Sequence, residues 1–179
     1  QTFDRTLEPI LKLALEGAGF ISAYDRNGIR RSLGVRPPET LDEQAALALA
    51  VKQGVNVVLS GSVERQGSRY AVSVKAVQAV TGNVIAAATN RASSKDQVLG
   101  VATALADDVR EALGDDTSDS AQRFAMETLT ATSLDAVREY ARGMEAMSGS
   151  KFEDALQSFQ KAVALDPKFG VAYGAMAAT

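Results

Sequence analysis

The chain lacks the two residue types that perform most nucleophilic, acid–base and zinc chemistry in proteins. Its 179 residues include no His and no Cys, which removes His-based triads, Cys nucleophiles and the usual zinc ligand sets. No GxGxxG or GxxxxGK(S/T) phosphate-binding pattern occurs. Ser60 and Ser62 flank Gly61 within a predicted strand, not at the strand-to-helix turn that presents a nucleophilic serine. We therefore expect a chain that is not an enzyme and has no cofactor or metal site.

One acidic cluster has the ligand type that calcium prefers. Asp115, Asp116 and Asp119 offer carboxylate oxygens, but a calcium loop places Gly at its bend and closes with a bidentate Glu. Here Gly114 precedes the cluster and no Glu closes it. The pattern favours a solvated acidic linker over a metal site.

A basic cluster falls on one short predicted helix. Arg26, Arg30 and Arg31 are candidate anion-binding residues, because guanidinium groups bind phosphates and carboxylates through paired hydrogen bonds. The alternative is a solvated helix face beside Asp25. The net charge of −3 argues against a nucleic-acid partner, and no apolar run is long enough to span a membrane.

The elements that would position these residues begin with helices. Apolar residues recur at helical spacing near the start of the chain, where Pro9 requires the helix to begin near Leu7 or to bend. The predicted elements are a helix within Phe3–Ala18, a buried strand at Phe20–Ala23, a helix at Asp25–Leu33, and a helix from the capping box Thr40–Glu43 to about Gln53.

The hydrophobic period changes to two at Val55, which indicates strands. Turn residues at 65–68 and 81–83 divide this region into three antiparallel strands. A capping box at Ser94–Gln97 then opens a helix that ends near Leu113. Residues 1–114 are therefore predicted to form an α+β domain, with a small mixed sheet that contains an antiparallel three-strand meander packed by helices. Residues 115–132 are a predicted linker.

The last segment, residues 133–179, carries a pattern of small, aromatic and proline residues over the 34 residues from Ala136 to Phe169. It resembles a tetratricopeptide repeat, an all-α helical hairpin, followed by the opening of a second, truncated repeat. Such repeats need neighbours to bury their apolar faces, so we expect a longer array that binds other proteins. The residues of the pattern are Gly143, Ala155, Phe159, Ala162 and Pro167.

The first helix of such a repeat lines a concave groove, and four of its positions are candidate partner-binding residues. These are Val137, Tyr140, Met144 and Met147. An aromatic ring and two pliable thioethers suit a peptide ligand. The alternative is that some of them pack against the preceding domain.

The segments Val55–Val63, Tyr70–Ala76 and Val80–Asn83 are similar to the TolB amino-terminal-like (FlgO-like) domain. Thr132–Ala136, leading into Tyr140, resembles the junction of that domain with tetratricopeptide repeats. The resemblance implies the carboxy-terminal region of a bacterial membrane-anchored serine/threonine protein kinase. It also implies a strand before the first helix, which this sequence lacks.

Three functions remain open after the resemblance is taken into account. The first is a non-catalytic sensing and protein-interaction region in signal transduction, extracytoplasmic, which binds a protein or peptide in the repeat groove. The second is a cytoplasmic scaffold region of an adenylate cyclase or winged-helix regulator. The third is a small-anion binding domain that uses the α+β cleft. A homodimer through an exposed sheet edge or the truncated repeat is a further expectation, with no membrane contact within the sequence itself.

Overall fold

The computed structural model describes residues 6–36, 41–115 and 133–179. These residues form an α+β structure, as the sequence predicts, with one antiparallel sheet. The elements in chain order are α1 (Glu8–Glu16), α2 (Arg26–Leu33), α3 (Glu43–Gln53), β1 (Val57–Gln66), β2 (Arg69–Gln78), β3 (Val84–Ala92), α4 (Gln97–Ala112), α5 (Leu134–Ser148), α6 (Phe152–Leu165) and α7 (Gly170–Ala177).

The described residues divide into two structural units, and the division differs from the predicted boundary at residue 114. The first unit contains residues 6–31 and 133–179, and the second contains residues 32–36 and 41–115. Helix α1 and most of α2 therefore group with the carboxy-terminal helices and not with the sheet. The physical reason is that α1 lies against α5 and that the Ser148 hydroxyl donates a hydrogen bond to the Asn27 side-chain oxygen at 3.0 Å.

Helix α1 begins after Leu7, which is the first of the two predicted alternatives for Pro9. Pro9 lies in the first turn, where a missing backbone N–H costs no helical hydrogen bond. The predicted strand at Phe20–Ala23 is wrong: this segment is not paired with any described strand. Phe20 is 59% exposed. A strand needs a neighbour for its backbone groups, and none of the described residues supplies one.

In the second unit, α3 is capped by a residue other than the predicted one. The Asp42 carboxylate accepts a hydrogen bond from the backbone N–H of Ala45 at 2.8 Å. The predicted cap, Thr40, lies outside the described residues. Glu43, the carboxylate of the predicted capping box, instead pairs with Lys75 at 2.5 Å. Asp42 is sufficient as a cap, so Glu43 is free to join α3 to the sheet.

The predicted three-strand meander is confirmed, with the order β1-β2-β3 and antiparallel pairing throughout. The sheet is therefore not mixed within the described residues. Gly67 and Ser68 form a two-residue turn between β1 and β2, with a positive φ of 66° at Gly67. Helix α4 packs on β2 and β3, and the buried side chains of this layer include Val72, Val74 and Ala76.

A buried ion pair lies at the end of α4 in the second unit. Arg110 and Asp115 have side-chain exposures of only 1% and 2%. The guanidinium donates through Nε at 2.8 Å and Nη2 at 2.5 Å to one Asp115 oxygen. Asp107 lies 3.4 Å from Nη1. Asp115 is thus a structural residue, which corrects its prediction as part of a solvated linker; Asp116 and Asp119 lie outside the described residues.

Replacing Asp115 by Ala is expected to destabilise the second unit by about 3 kcal/mol, because it leaves a buried guanidinium without its principal carboxylate. Urea unfolding followed by circular dichroism measures the change. The control is Asp108→Ala on the exposed side of the same helix, which is expected to change stability by less than about 0.5 kcal/mol. Equal effects of the two substitutions would contradict the assignment.

In the first unit, α5 packs on α6, and α7 packs on α6. The Ser133 hydroxyl caps α5 by accepting from the Ala136 backbone N–H at 3.4 Å. The small residues of the 34-residue pattern lie between the helices: Ala155 and Ala162 are fully buried. A Cβ on Gly143 would meet the ring of Phe159 at 2.3 Å. The helices therefore cross closely only because position 143 has no side chain.

Substituting Gly143 by Ala is expected to lower stability by about 1–3 kcal/mol through overpacking against Phe159, measured as a lower midpoint of urea unfolding. The matched control is Gly174→Ala in α7, where a Cβ would meet nothing within 4 Å. That change is expected to be neutral or to stabilise by up to about 1 kcal/mol through helix propensity. Stabilisation by both substitutions would show that the close approach is not a constraint.

Candidate partner-binding surface

The four predicted groove residues on α5 differ sharply in their accessibility. Val137 is fully buried and Tyr140 is only 6% exposed, whereas Met144 and Met147 are half-buried. A ligand therefore has no access to the first two without a rearrangement of the first unit. The structure brings Met147 close to the end of α7, where the Thr179 hydroxyl lies 3.7 Å from its sulfur.

Tyr140 is a core residue that ties three helical segments together. Its ring lies 5.7 Å from the ring of Phe159 on α6 and 5.2 Å from that of Phe169, centroid to centroid, with an edge-on arrangement in the second pair. Such tilted aromatic pairs stabilise a core beyond the area that they bury. Tyr140 and Val137 are therefore buried residues of this unit. The ring partners of Tyr140 follow it in the chain, whereas the predicted alternative is packing against the preceding domain.

The electrostatics of Tyr140 show which residues lie near its face of α5. Burial raises the pKa of the phenol above its ordinary value of 10.0, the Asp25 carboxylate acts in the same direction, and Arg31 opposes both. Asp25 is itself buried and accepts a hydrogen bond from the Gly28 backbone N–H at 2.5 Å. The start of α2 is therefore part of the environment of Tyr140.

The raised pKa of Tyr140 makes stability depend on pH in the alkaline range. Because the folded state favours the neutral phenol, its contribution is complete below pH 10 and is lost as the pH rises through the folded pKa. We expect the Tyr140→Phe variant to lose less stability than the wild type between pH 9 and pH 11. Urea unfolding of both proteins across this range measures the difference, and parallel curves would contradict it.

The three predicted anion-binding arginines differ in their surroundings. Arg26 forms an ion pair with Glu8, Nε to Oε1 at 2.9 Å, whereas Arg30 and Arg31 are exposed. Helix α2 up to Arg31 belongs to the first unit and the sheet to the second.

Sequence reasoning missed an apolar stripe on the outer side of α6, which we define as Phe152, Leu156 and Val163. Phe152 is 53% exposed, Leu156 is 37% exposed and Val163 is half-buried. Tyr173, on the neighbouring α7, is also exposed. The signal was present in the sequence, since these positions of α6 share one side of a helix and lie beside its buried face.

A second feature missed from the sequence is a shallow hollow of about 380 Å³ on the sheet. Hydroxyl side chains from all three strands line it, with the Glu43–Lys75 ion pair at its rim. Two of the hydroxyls, on Ser73 and Thr89, hydrogen-bond each other at 2.9 Å. The hydroxyl-bearing residues are Ser60, Ser62, Ser73 and Thr89.

Comparisons with known proteins add no relative: no family model, curated protein or solved structure matches the chain significantly. No helix in the described part is long and apolar enough to cross a bilayer. Residues 6–36, 41–115 and 133–179 also contain no cluster of three or more potential metal-ligating side chains.

Proposed function

We propose that this chain is a non-catalytic sensing and protein-interaction region of a bacterial membrane-anchored signalling protein, most simply a serine/threonine kinase. The observation that carries the binding part of the proposal is the exposed apolar stripe on α6. Exposed apolar side chains that share one helix face are typical of protein–protein contact sites. The parent protein is proposed on the resemblance of Thr132–Ala136 and the strand segments to the TolB-like and tetratricopeptide arrangement.

The proposed contact surface differs from the groove that the repeat pattern suggests. Because Val137 and Tyr140 are buried, a partner that binds the unit as it stands must contact other residues. The apolar stripe offers an aromatic ring and a branched aliphatic chain one helical turn apart, on Phe152 and Leu156. A partner helix or extended peptide with its own apolar face would cover both.

Site-specific photocross-linking tests the proposal without knowledge of the partner. A photoreactive phenylalanine analogue is placed at position 152 in the full parent protein, in the cells that produce it. The control position is Lys161, which is exposed and lies nine residues further along α6, on the opposite side of the helix.

We expect light-dependent products at position 152 that contain a distinct protein, and none at position 161. Their loss on Leu156→Asp substitution would place the contact on the stripe. Products at both positions, or at neither, would contradict it.

The cytoplasmic scaffold alternative involves the same contact surface. It differs only in the parent protein, which would be an adenylate cyclase or a winged-helix regulator. An apolar span of about 20 residues preceding the chain in its gene would favour the membrane-anchored parent. The anion-binding alternative has less support, because Arg26 is already paired with Glu8 and two exposed arginines remain.

A further inference from the structure

Strand β1 forms one edge of the sheet and is long for an edge strand. It spans ten residues, Val57–Gln66, and no described strand pairs with its outer side. Helix α4 packs on β2 and β3, whereas α3 contacts β1 itself. The Glu43 side chain of α3 reaches Ser60 and Lys75, whose side chains project from one sheet face. Among the described residues, no helix hydrogen-bonds to the outer backbone groups of β1.

The register identifies which backbone groups this edge presents. The two-residue turn makes Gln66 and Arg69 a hydrogen-bonded pair, and the Ala79 N–H donates to the Asn56 carbonyl at 2.8 Å. Hydrogen-bonded pairs alternate along an antiparallel ladder, so even-numbered residues of β1 bond to β2. The N–H and C=O groups of its odd-numbered residues, from Val57 to Arg65, point outward.

The edge also lacks the features that normally prevent pairing with another chain. Proteins protect edge strands with Pro, Lys, inward charges or bulges. Strand β1 has no Pro and no Lys, the register with β2 is regular throughout, and its charged residues are confined to Glu64 and Arg65 near one end. Seven consecutive uncharged residues, 57–63, are thus available for pairing.

The sequence of β1 is complementary to itself in one antiparallel register, centred on Gly61. In this register Leu59 lies opposite Val63 of the second copy, and Ser60 lies opposite Ser62. Val58 and Val57 face Glu64 and Arg65, so no like charges are opposed. Apolar pairs and hydroxyl pairs across strands are favourable. Each of these pairs occurs twice because the arrangement has two-fold symmetry.

We propose that two copies of this chain pair through β1 in this register and form a continuous six-stranded antiparallel sheet. The pairing satisfies the outward backbone groups of both edges. It also covers Leu59 and Val63, which are only half-buried within one copy. This assembly is independent of the stripe on α6, so either proposal can fail alone.

The opposite edge strand, β3, is less suited to pairing with a second copy. Its side chains toward α4 include Ala86 and Ala88, which are small and contribute little apolar area to an added strand. The pairing of β2 with β3 also contains a register irregularity at Ala76/Val77, and such irregularities twist an edge away from further pairing. The β1 edge has neither disadvantage.

Disulfide cross-linking tests the register directly, since the full chain contains no Cys. Position 60 lies opposite position 62 of the other copy, in a pair with Cα atoms about 4.5 Å apart, which is within the range for a disulfide. Two Ser60→Cys chains place their thiols diagonally, about 7–8 Å apart. Differently tagged Ser60→Cys and Ser62→Cys chains are mixed under mild oxidation.

We expect the mixture to give several-fold more covalent dimer than either variant alone, and the dimer to contain one copy of each tag. A Ser60→Cys and Thr89→Cys mixture is the control for random collision, because Thr89 lies on β3. Equal dimer yields in all mixtures would overturn the register.

Sedimentation of the full chain tests the assembly itself. The Val63→Pro variant removes an outward N–H of β1, and Ala87→Pro removes an outward N–H of β3, so the two variants are matched in chemistry. We expect dimers for the wild type and Ala87→Pro and monomers for Val63→Pro, with circular dichroism as the check of folding. A wild type that stays monomeric at all accessible concentrations would overturn the proposal. This outcome includes the case in which β1 pairs with a strand of a different protein.

Discussion

The first unit depends on the space that Gly143 leaves between two helices. The ring of Phe159 occupies the volume that a Cβ would fill, at a distance that no side chain at position 143 tolerates. That approach lets the Phe159 ring reach Tyr140, and Tyr140 in turn contacts Phe169 at the start of α7. One missing side chain therefore determines how three helices meet and why the aromatic residues are core residues.

The same constraint decides which surfaces remain for partners. Because Val137 is fully buried and the rings of Phe159 and Phe169 pack on Tyr140, two of the four positions predicted as a groove on α5 are inaccessible. The outer side of α6 is not used in this packing, and its apolar side chains stay exposed. We therefore propose that other proteins bind to α6, and not to the groove predicted on α5.

In the second unit, ion pairs lie at the borders of the apolar layer. Arg110 is among the most buried side chains of the described residues, and its cost of desolvation is offset by Asp115 at the end of the helix. At the other side of the sheet, Glu43 joins α3 to Lys75. The Glu43 contact joins α3 to the sheet, but within the described residues neither helix hydrogen-bonds to the outer backbone groups of β1.

The sequence by itself determined the elements whose signals are local. The period-two strands, the glycine turns, the position of Pro9 and the small-residue pattern of the hairpin are properties of neighbouring residues, and the α+β class with its three-strand meander followed from them. The tertiary structure decided what needs a distant partner. Phe20–Ala23 has strand-like residues but no strand to pair with, and Asp115 is buried only because Arg110 faces it. Tyr140 is core because its ring packs on Phe159 and Phe169, which follow it in the chain. Periodicity shows that a helix face is apolar, whereas only packing across the chain shows whether that face is covered.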